Sequence, residues 1–464
     1  MSSLTLVQQL AAFAETTYTN GLPVEVATST RQRVLDVIGL CLASVPLETS
    51  QGALEWVTSQ GGAAQASLVG RKQRVPAAQA AFANGVLAHS LDYDDTHLPS
   101  ILHPSASVVP AALAVGEAVG ATGEQVLRAA AVGIEICVRL GMAGYDKDTR
   151  NSLFFERGQH ATSICGGLAA AATAALLHGL GADGVANAIG MAASMSSGVI
   201  EANRTGGTVK RIHCGWAAHA GVTAAELVSH GFTGPPTVLE GRFGFYQAWI
   251  GGFRDDESLV GGLGTHWELP GIFFKPYPAN HFTHAGIDAA LALRADGLTP
   301  DDVESVVLSV APATARTIGE PIQSKREPES GYHAKFSGPY TVAAALTGGG
   351  GLGLGLEDFS DEAAQRADRQ ALMQRIEVEG DESLLDIYPY QFPARLRVRT
   401  KDGSTLSRDV LANRGGPGNP LTDDELATKF IENATVHVSP ERATSMAQDV
   451  ANIGSRPDVA GLLR

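Results

Sequence analysis

Apolar positions recur at helical spacing from the N-terminus to about residue 265. In TRQRVLDVIGLCLASV, Val34, Ile38 and Leu42 stand four residues apart, the stripe of an amphipathic helix. VPAALAVGEAVG and GEQVLRAAAVGIEICVRLG carry the pattern on, with ATG between them as a helix stop and restart. AATAALLHGLG closes in glycine, as helices often do. ADGVANAIGMAASMSSGVI and HCGWAAHAGVTAAELVSHGF follow. Alanine and glycine abound and β-branched alternation is scarce, so this half predicts an all-α bundle of closely packed helices.

Near residue 268 the pattern changes. LPGIFFKPYPANHF holds three prolines and reads as the entry to a new domain. AGIDAALALRAD predicts a helix, TPDDVESVVLSVAP a capped start and then a strand, and KFSGPYTVAAALTG another helix. RIEVEG is strand-like. RLRVRTKDGSTLSRDV alternates on both sides of Lys401-Asp402-Gly403, the pattern of a hairpin. After ANRGGPGNP, LTDDEL offers Thr422 as N-cap and Glu425 three places on, a capping box. The expectation is a mainly α protein. An all-helical domain spans 1–268, a smaller α+β domain spans 269–410, and a segment over 411–464 returns to the helical domain.

The 464 residues exceed what one compact core usually holds, which agrees with two domains. With 44% hydrophobic and 18% charged residues, the chain is not expected to be disordered. A net charge of −15 excludes general binding of nucleic acid or of an anionic membrane, so an anionic substrate needs a local positive field. Cys41, Cys137, Cys165 and Cys214 lie far apart without a CxxC pair. That argues against structural zinc, a cysteine-held iron–sulfur cluster and a disulfide framework. They read as small buried residues in a reducing cytoplasm. MSSLTLVQQL lacks the basic start and apolar run of a signal peptide, and ATSICGGLAAAATAALLHGLG reads as a buried helix rather than a membrane span. The expected location is cytoplasmic.

Chemistry concentrates in a few stretches. HSLDYDDTHLPSILHPS, His89 to Ser105, gathers three aspartates and three of the chain's 13 histidines. Asp92, Asp94 and Asp95 with His97 and His103 have the donor types of a divalent-metal site. The order D-x-D-D lacks the later ligands and glycine of a calcium loop, and no HExxH occurs, so no metal is expected. Apolar residues flank the stretch, which therefore enters a core, where carboxylates and imidazoles need partners and proton-transfer groups are tuned. His89 reads as core. In RGQHATS, His160 opens a long apolar helix, whose positive end lowers its pKa and favours a neutral base; a purely structural histidine is the plainer reading. In GGTVKRIHCGWAAHAG, Gly206 and Gly207 lead to Lys210, Arg211 and His213, either a carboxylate site near a helix start or a basic surface cap. FKPYPANHFTHAG adds Lys275, His281 and His284; the two histidines have zinc-ligand spacing but no third ligand nearby. GGGGLG at 348–353 matches GxGxxG by repetition, follows helical AAALT, and reads as a helix stop.

AHSLDYDDTH with the later HPS, GQHATS, GGTVKRIHCGWAAHAG, KPYPANHFTHAGIDAA and AKFSGPY resemble the successive signatures of the MmgE/PrpD family, in its order and over essentially the whole chain. The resemblance implies a large all-helical domain, a smaller α+β lid domain, a homodimer, and chemistry without a cofactor on a small carboxylate. Members of the family include 2-methylcitrate dehydratase, cis-aconitate decarboxylase and iminodisuccinate epimerase. By motif, the family's active-site aspartate falls on Asp92 and its histidine before Pro-Ser on His103. Its helix-start histidine falls on His160, and its two lysines on Lys210 and Lys275.

Dehydration of a 3-hydroxy acid needs a base for the carbon-bound proton, an acid for the hydroxyl, and cations for the carboxylates and the enolate-like charge. His103 and His160 are the expected proton-transfer pair. Lys210, Arg211 and Lys275 are expected to bind carboxylates, and Asp92 to orient a histidine or lysine. Asp94, Asp95, Thr96, His97, His213 and Asn280 are expected to shape the pocket around the substrate. Two departures bear on the reaction. Asn280 stands where the decarboxylase has a histidine, and Phe155 stands where the epimerase has a tyrosine. The expectation is a cytoplasmic hydro-lyase acting on 2-methylcitrate, citrate or a related acid, with decarboxylation or isomerisation as the alternative. Retention of both lysines and both histidines speaks against a catalytically silent binding protein.

Overall fold

The structure is a computed structural model that describes residues 4–149, 151–205 and 207–463; Gly206 lies outside them. The chain is mainly α and divides into two compact units, Met1–Ile272 with Asn433–Arg464, and Phe273–Glu432.

The first unit is helical: α1 (Leu6–Asn20), α2 (Val24–Ser44), α3 (Glu48–Gln60), α4 (Ala77–His89), α5 (Ser105–Val119), α6 (Gly123–Met142), α7 (Leu153–Glu156), α8 (Ala161–Leu177), α9 (Gly181–Ala192), α10 (Ala202–Thr205) and α11 (His213–Ser229). Reciprocal capping boxes, Thr5 with Gln8 and Thr122 with Gln125, start α1 and α6. Gly120 ends α5 at φ 67, so ATG is indeed a stop and restart. The buried faces of α4, α8 and α11 are dominated by alanine and glycine, which lets their backbones approach. A Cβ on Gly85 of α4 would lie 2.8 Å from the Gly215 Cα of α11, and one on Gly215 would lie 2.4 Å from the Phe82 carbonyl oxygen. A Cβ on Gly221 of α11 would lie 2.6 Å from the Ala171 nitrogen of α8. Helix α11 is thus pressed against α4 on one side and α8 on the other. His89 ends α4, His213 begins α11, and His160 stands immediately before α8. No single helix among the described residues is long and apolar enough to cross a membrane.

The second unit holds a four-stranded sheet in the order Ile376–Gly380, Val303–Val310, Ala394–Thr400, Thr405–Val410. The first pair is parallel and the others antiparallel, with the expected hairpin turn at 401–404. Val306, Leu308, Leu396 and Val398 are buried in one core with residues of helices His284–Ala295 and Gly338–Thr347. Gly348, at φ 95, ends the second of these, so GGGGLG is a helix stop. The Thr422–Glu425 box forms: Glu425 N–H donates to Thr422 Oγ1 (3.2 Å) and Thr422 N–H to Glu425 Oε2 (2.8 Å).

Both unit boundaries differ from those expected at 268 and 410. The first unit reaches Ile272 because buried Arg33 of α2 donates to the carbonyls of Leu269 (3.4 Å) and Ile272 (2.8 Å). Residues 411–432 stay with the second unit. Asn413 exchanges hydrogen bonds with the Phe392 backbone (2.7 and 3.1 Å). Arg414 donates to Tyr277 Oη (3.1 Å) and Leu352 O (3.0 Å) and pairs with Glu425.

Candidate active site

The segment after α4, residues 90–104, has left-handed backbone at Asp92 (φ 54) and Ile101 (φ 53). Aspartate tolerates this conformation; a β-branched isoleucine does so only when its surroundings impose it. Here His97 and Leu102 exchange backbone hydrogen bonds (2.9 and 3.4 Å), and Ile101 N–H donates to Leu98 O (3.2 Å), closing residues 97–102 into a loop. His97 is buried within it, Nδ1 2.7 Å from Ser100 Oγ and Nε2 3.7 Å from Glu268 Oε2. That imidazole holds the Glu268 carboxyl below its usual range. The buried Asp95 carboxylate receives Arg33 Nη1 (2.8 Å), and the Ser105 hydroxyl (2.5 Å) and N–H (3.3 Å) at the first residue of α5.

This scaffold orients His103. Its Nδ1 lies 2.6 Å from the Asp95 carbonyl oxygen and 3.4 Å from Thr96 Oγ1. A carbonyl only accepts, so Nδ1 carries hydrogen and the lone pair of the neutral ring falls on Nε2. The His103 N–H donates to Thr162 Oγ1 of α8 (3.2 Å).

His160, immediately before α8, and His213, the first residue of α11, meet Nδ1 to Nδ1 at 2.9 Å. One must donate and the other accept, so two neutral rings there have opposite tautomers. Burial holds His160 well below its usual pKa, followed by the charges of His89, Lys210, His213 and His103. Burial, then His89 and Lys210, lowers His213 to about 4. The lowered pKa expected for His160 from sequence has burial as its first cause.

Lys210 Nζ, on the 3₁₀ turn Val209–Ile212, lies 3.4 Å from Asp92 Oδ1. A residue read as core joins the cluster: the His89 ring centre is 5.5 Å from that of His103 and 5.7 Å from that of His160, and its Nδ1 is 2.8 Å from Asp94 Oδ2. The local signal for it was weak, an imidazole at a helix end five residues before an aspartate. Asp92, Thr96, His103, His160, Lys210 and His213 therefore lie around one region of the first unit. Arg211 is turned away, Nη1 2.8 Å from Thr49 Oγ1. Asp95 and His97 serve the scaffold. Cys214 brings its sulfur within 4.8 Å of a His89 nitrogen and an Asp94 oxygen, but burial raises its thiol well above the ordinary range. A protonated thiol beside an already paired His–Asp is a poor metal donor set.

In the second unit Lys275 is buried. Asn280 Oδ1 accepts from Phe282 N–H (3.0 Å), and its own N–H donates to Lys335 O (2.9 Å), so Asn280 caps a turn. Tyr277 Oη donates to Asp288 Oδ1 (2.6 Å), whose carboxyl burial pushes up to about 6.

Fold and site define a class: a mainly α protein of two units whose helical unit gathers four imidazoles, three of them buried, near a lysine–aspartate pair. It belongs to the MmgE/PrpD family, since residues 8–258 match the MmgE/PrpD N-terminal domain and residues 277–453 the MmgE/PrpD C-terminal domain. Curated relatives match nearly end to end. The chain is 28% identical to cis-aconitate decarboxylase of Homo sapiens, over 93% of this chain and 88% of the relative. It is 26% identical to that of Mus musculus, over 96% and 90%, and 24% identical to that of Aspergillus terreus, over 99% and 95%.

Proposed function

We propose that the protein is a lyase that acts on a small hydroxy di- or tricarboxylate, such as citrate or 2-methylcitrate, by removing a proton next to a carboxylate and releasing water. The observation that carries this reading is His103, whose Nδ1 is committed to the Asp95 carbonyl, leaving Nε2 as a base in a cluster that also holds an ammonium group. His103 Nε2 takes the carbon-bound proton. The Lys210 ammonium, oriented by Asp92, gives a proton to the departing hydroxyl, the C–O bond breaks, and water leaves. Neutral His160 passes the proton from His103 back to Lys210, and the site is reset. By motif Lys275 is the second carboxylate-binding lysine, and the working form is a homodimer, testable by light scattering.

The names of the relatives favour a second reading, decarboxylation of an aconitate-like acid. There a C–C bond breaks, carbon dioxide leaves, and the carbanion takes the proton. Asn280 weighs against it, standing where the resemblance places a histidine in that enzyme. Incubation with citrate, 2-methylcitrate and cis-aconitate in deuterated buffer separates the two by proton NMR. Interconversion of hydroxy and unsaturated acids with every carbon retained is expected. A product one carbon shorter establishes the second reading, and neither turnover nor C–H exchange with any of the three sinks both.

A further inference from the structure

We propose that Asp94 and His89 are positioning residues of this site, Asp94 holding the imidazole by Nδ1 so that His89 Nε2 exchanges protons with the His103–His160 pair. This deepens the lyase reading and rests on it. His89 is the last residue of α4 and is buried, and Asp94 is wholly buried. The carboxylate Oδ2 accepts at 2.8 Å, so Nδ1 carries hydrogen and Nε2 is the exchanging atom. Nε2 is itself buried and meets no hydrogen-bond partner among the described residues. An unsatisfied buried nitrogen costs free energy, and this one belongs to a ring set beside His103 and His160.

The groups facing His89 come from every neighbouring element. They are Asp94 and His103 on the 90–104 segment, His160 before α8, His213 and Cys214 on α11, and Lys210 on the 3₁₀ turn. Cys214 holds its proton too tightly to share it. A positive charge on His89, when it holds the extra proton, lowers the pKa of both His160 and His213 more than Lys210 does. The charge on His89 and the basicity of those rings are therefore coupled. A proton taken from carbon by His103 moves to His89 Nε2, the Nε2–H bond forming as the His103 N–H bond breaks. His89 then gives it to neutral His160, which passes it to Lys210, so each group ends the cycle as it began it.

Three variants of the full chain test this. His89→Asn keeps a donor where Nδ1 meets Asp94 and removes Nε2, His89→Ala removes both, and Asp94→Asn removes the charge. With circular dichroism confirming the fold, all three are expected to lower kcat by about a hundredfold with KM little changed, and to shift the pH–rate profile. If His89→Asn restores native turnover and profile where His89→Ala does not, His89 merely fills space and the proposal falls. A second arm needs no substrate. By NMR the His213 ring, at about 4 in the native protein, is expected to titrate higher in His89→Asn, and an unmoved midpoint overturns the coupling. Absence of turnover in the native protein would refute the lyase reading while this arm still decides the coupling. If the variants do not fold, nitrogen-15 shifts of native His89 decide: hydrogen on Nδ1 supports the proposal, and a ring with hydrogen on Nε2 alone overturns it.

Discussion

At His103 one backbone acceptor decides the tautomer. The Asp95 carbonyl takes the Nδ1 hydrogen, and the base is left on Nε2. His103→Ala is expected to lower kcat by roughly 10²–10⁴-fold while the thermal melt barely moves; unaltered kcat would remove His103 from the chemistry. Lys210→Ala is expected to lower kcat and raise KM together, because in the proposed reaction the ammonium paired with Asp92 both donates a proton and faces carboxylate charge. Lys210→Arg should not restore turnover, since a guanidinium does not give up its proton. The identities of Asp92, His103, His160 and Lys210 were legible as motif residues. Their tautomers and partners were not, since Asp95 acts through its backbone oxygen, which any residue type would supply.

The helices set distances that no single side chain could. Between α4 and α11 the spacing rests on Gly85 against Gly215. Gly215→Ala is expected to force the two helices apart and cost about 1–3 kcal/mol in a urea titration. It should also reduce kcat, because His89 and His213 ride on those helices; unchanged stability and turnover would show that the contact is slack. Arg33 does comparable work for the 90–104 segment, linking α2 to Asp95 and to the carbonyls of Leu269 and Ile272. Arg33→Ala leaves a buried carboxylate unpaired and is expected to cost about 3–5 kcal/mol, part of it recovered in Arg33→Ala/Asp95→Ala. The helices were legible because apolar spacing, caps and glycine stops are local signals. The closed loop at 97–102 was not, because it holds an isoleucine at positive φ that local preference opposes.

Over the whole molecule, buried ionisable groups make stability depend on pH in opposite senses. His160 and His213 have lowered folded pKa values, so the unfolded chain binds more protons below about 6.5, and their contribution is lost as pH falls toward about 4 for His213. Asp288, raised to about 6, binds its proton first in the folded state and opposes that loss between about 6 and 3.8. Urea titrations at pH 7 and pH 5 should show a shallower acid loss for His213→Gln than for the native protein, and a steeper one for Asp288→Asn. A reversed order would refute the assignment of these groups. The sequence by itself determined the mainly α class, the helices, the hairpin and the chemical types gathered near residues 89–105, 160 and 210, because periodicity, capping and composition act over a few residues. Only the tertiary structure decided which of those side chains belong together. Asp95 and His97, adjacent to the cluster in sequence, are committed to Arg33, Ser105, Ser100 and Glu268. His89, which read as core, stands beside His103 and His160. Burial, tautomer and charge are set by neighbours that α2, α8 and α11 bring from distant parts of the chain, and no local pattern of residues records them.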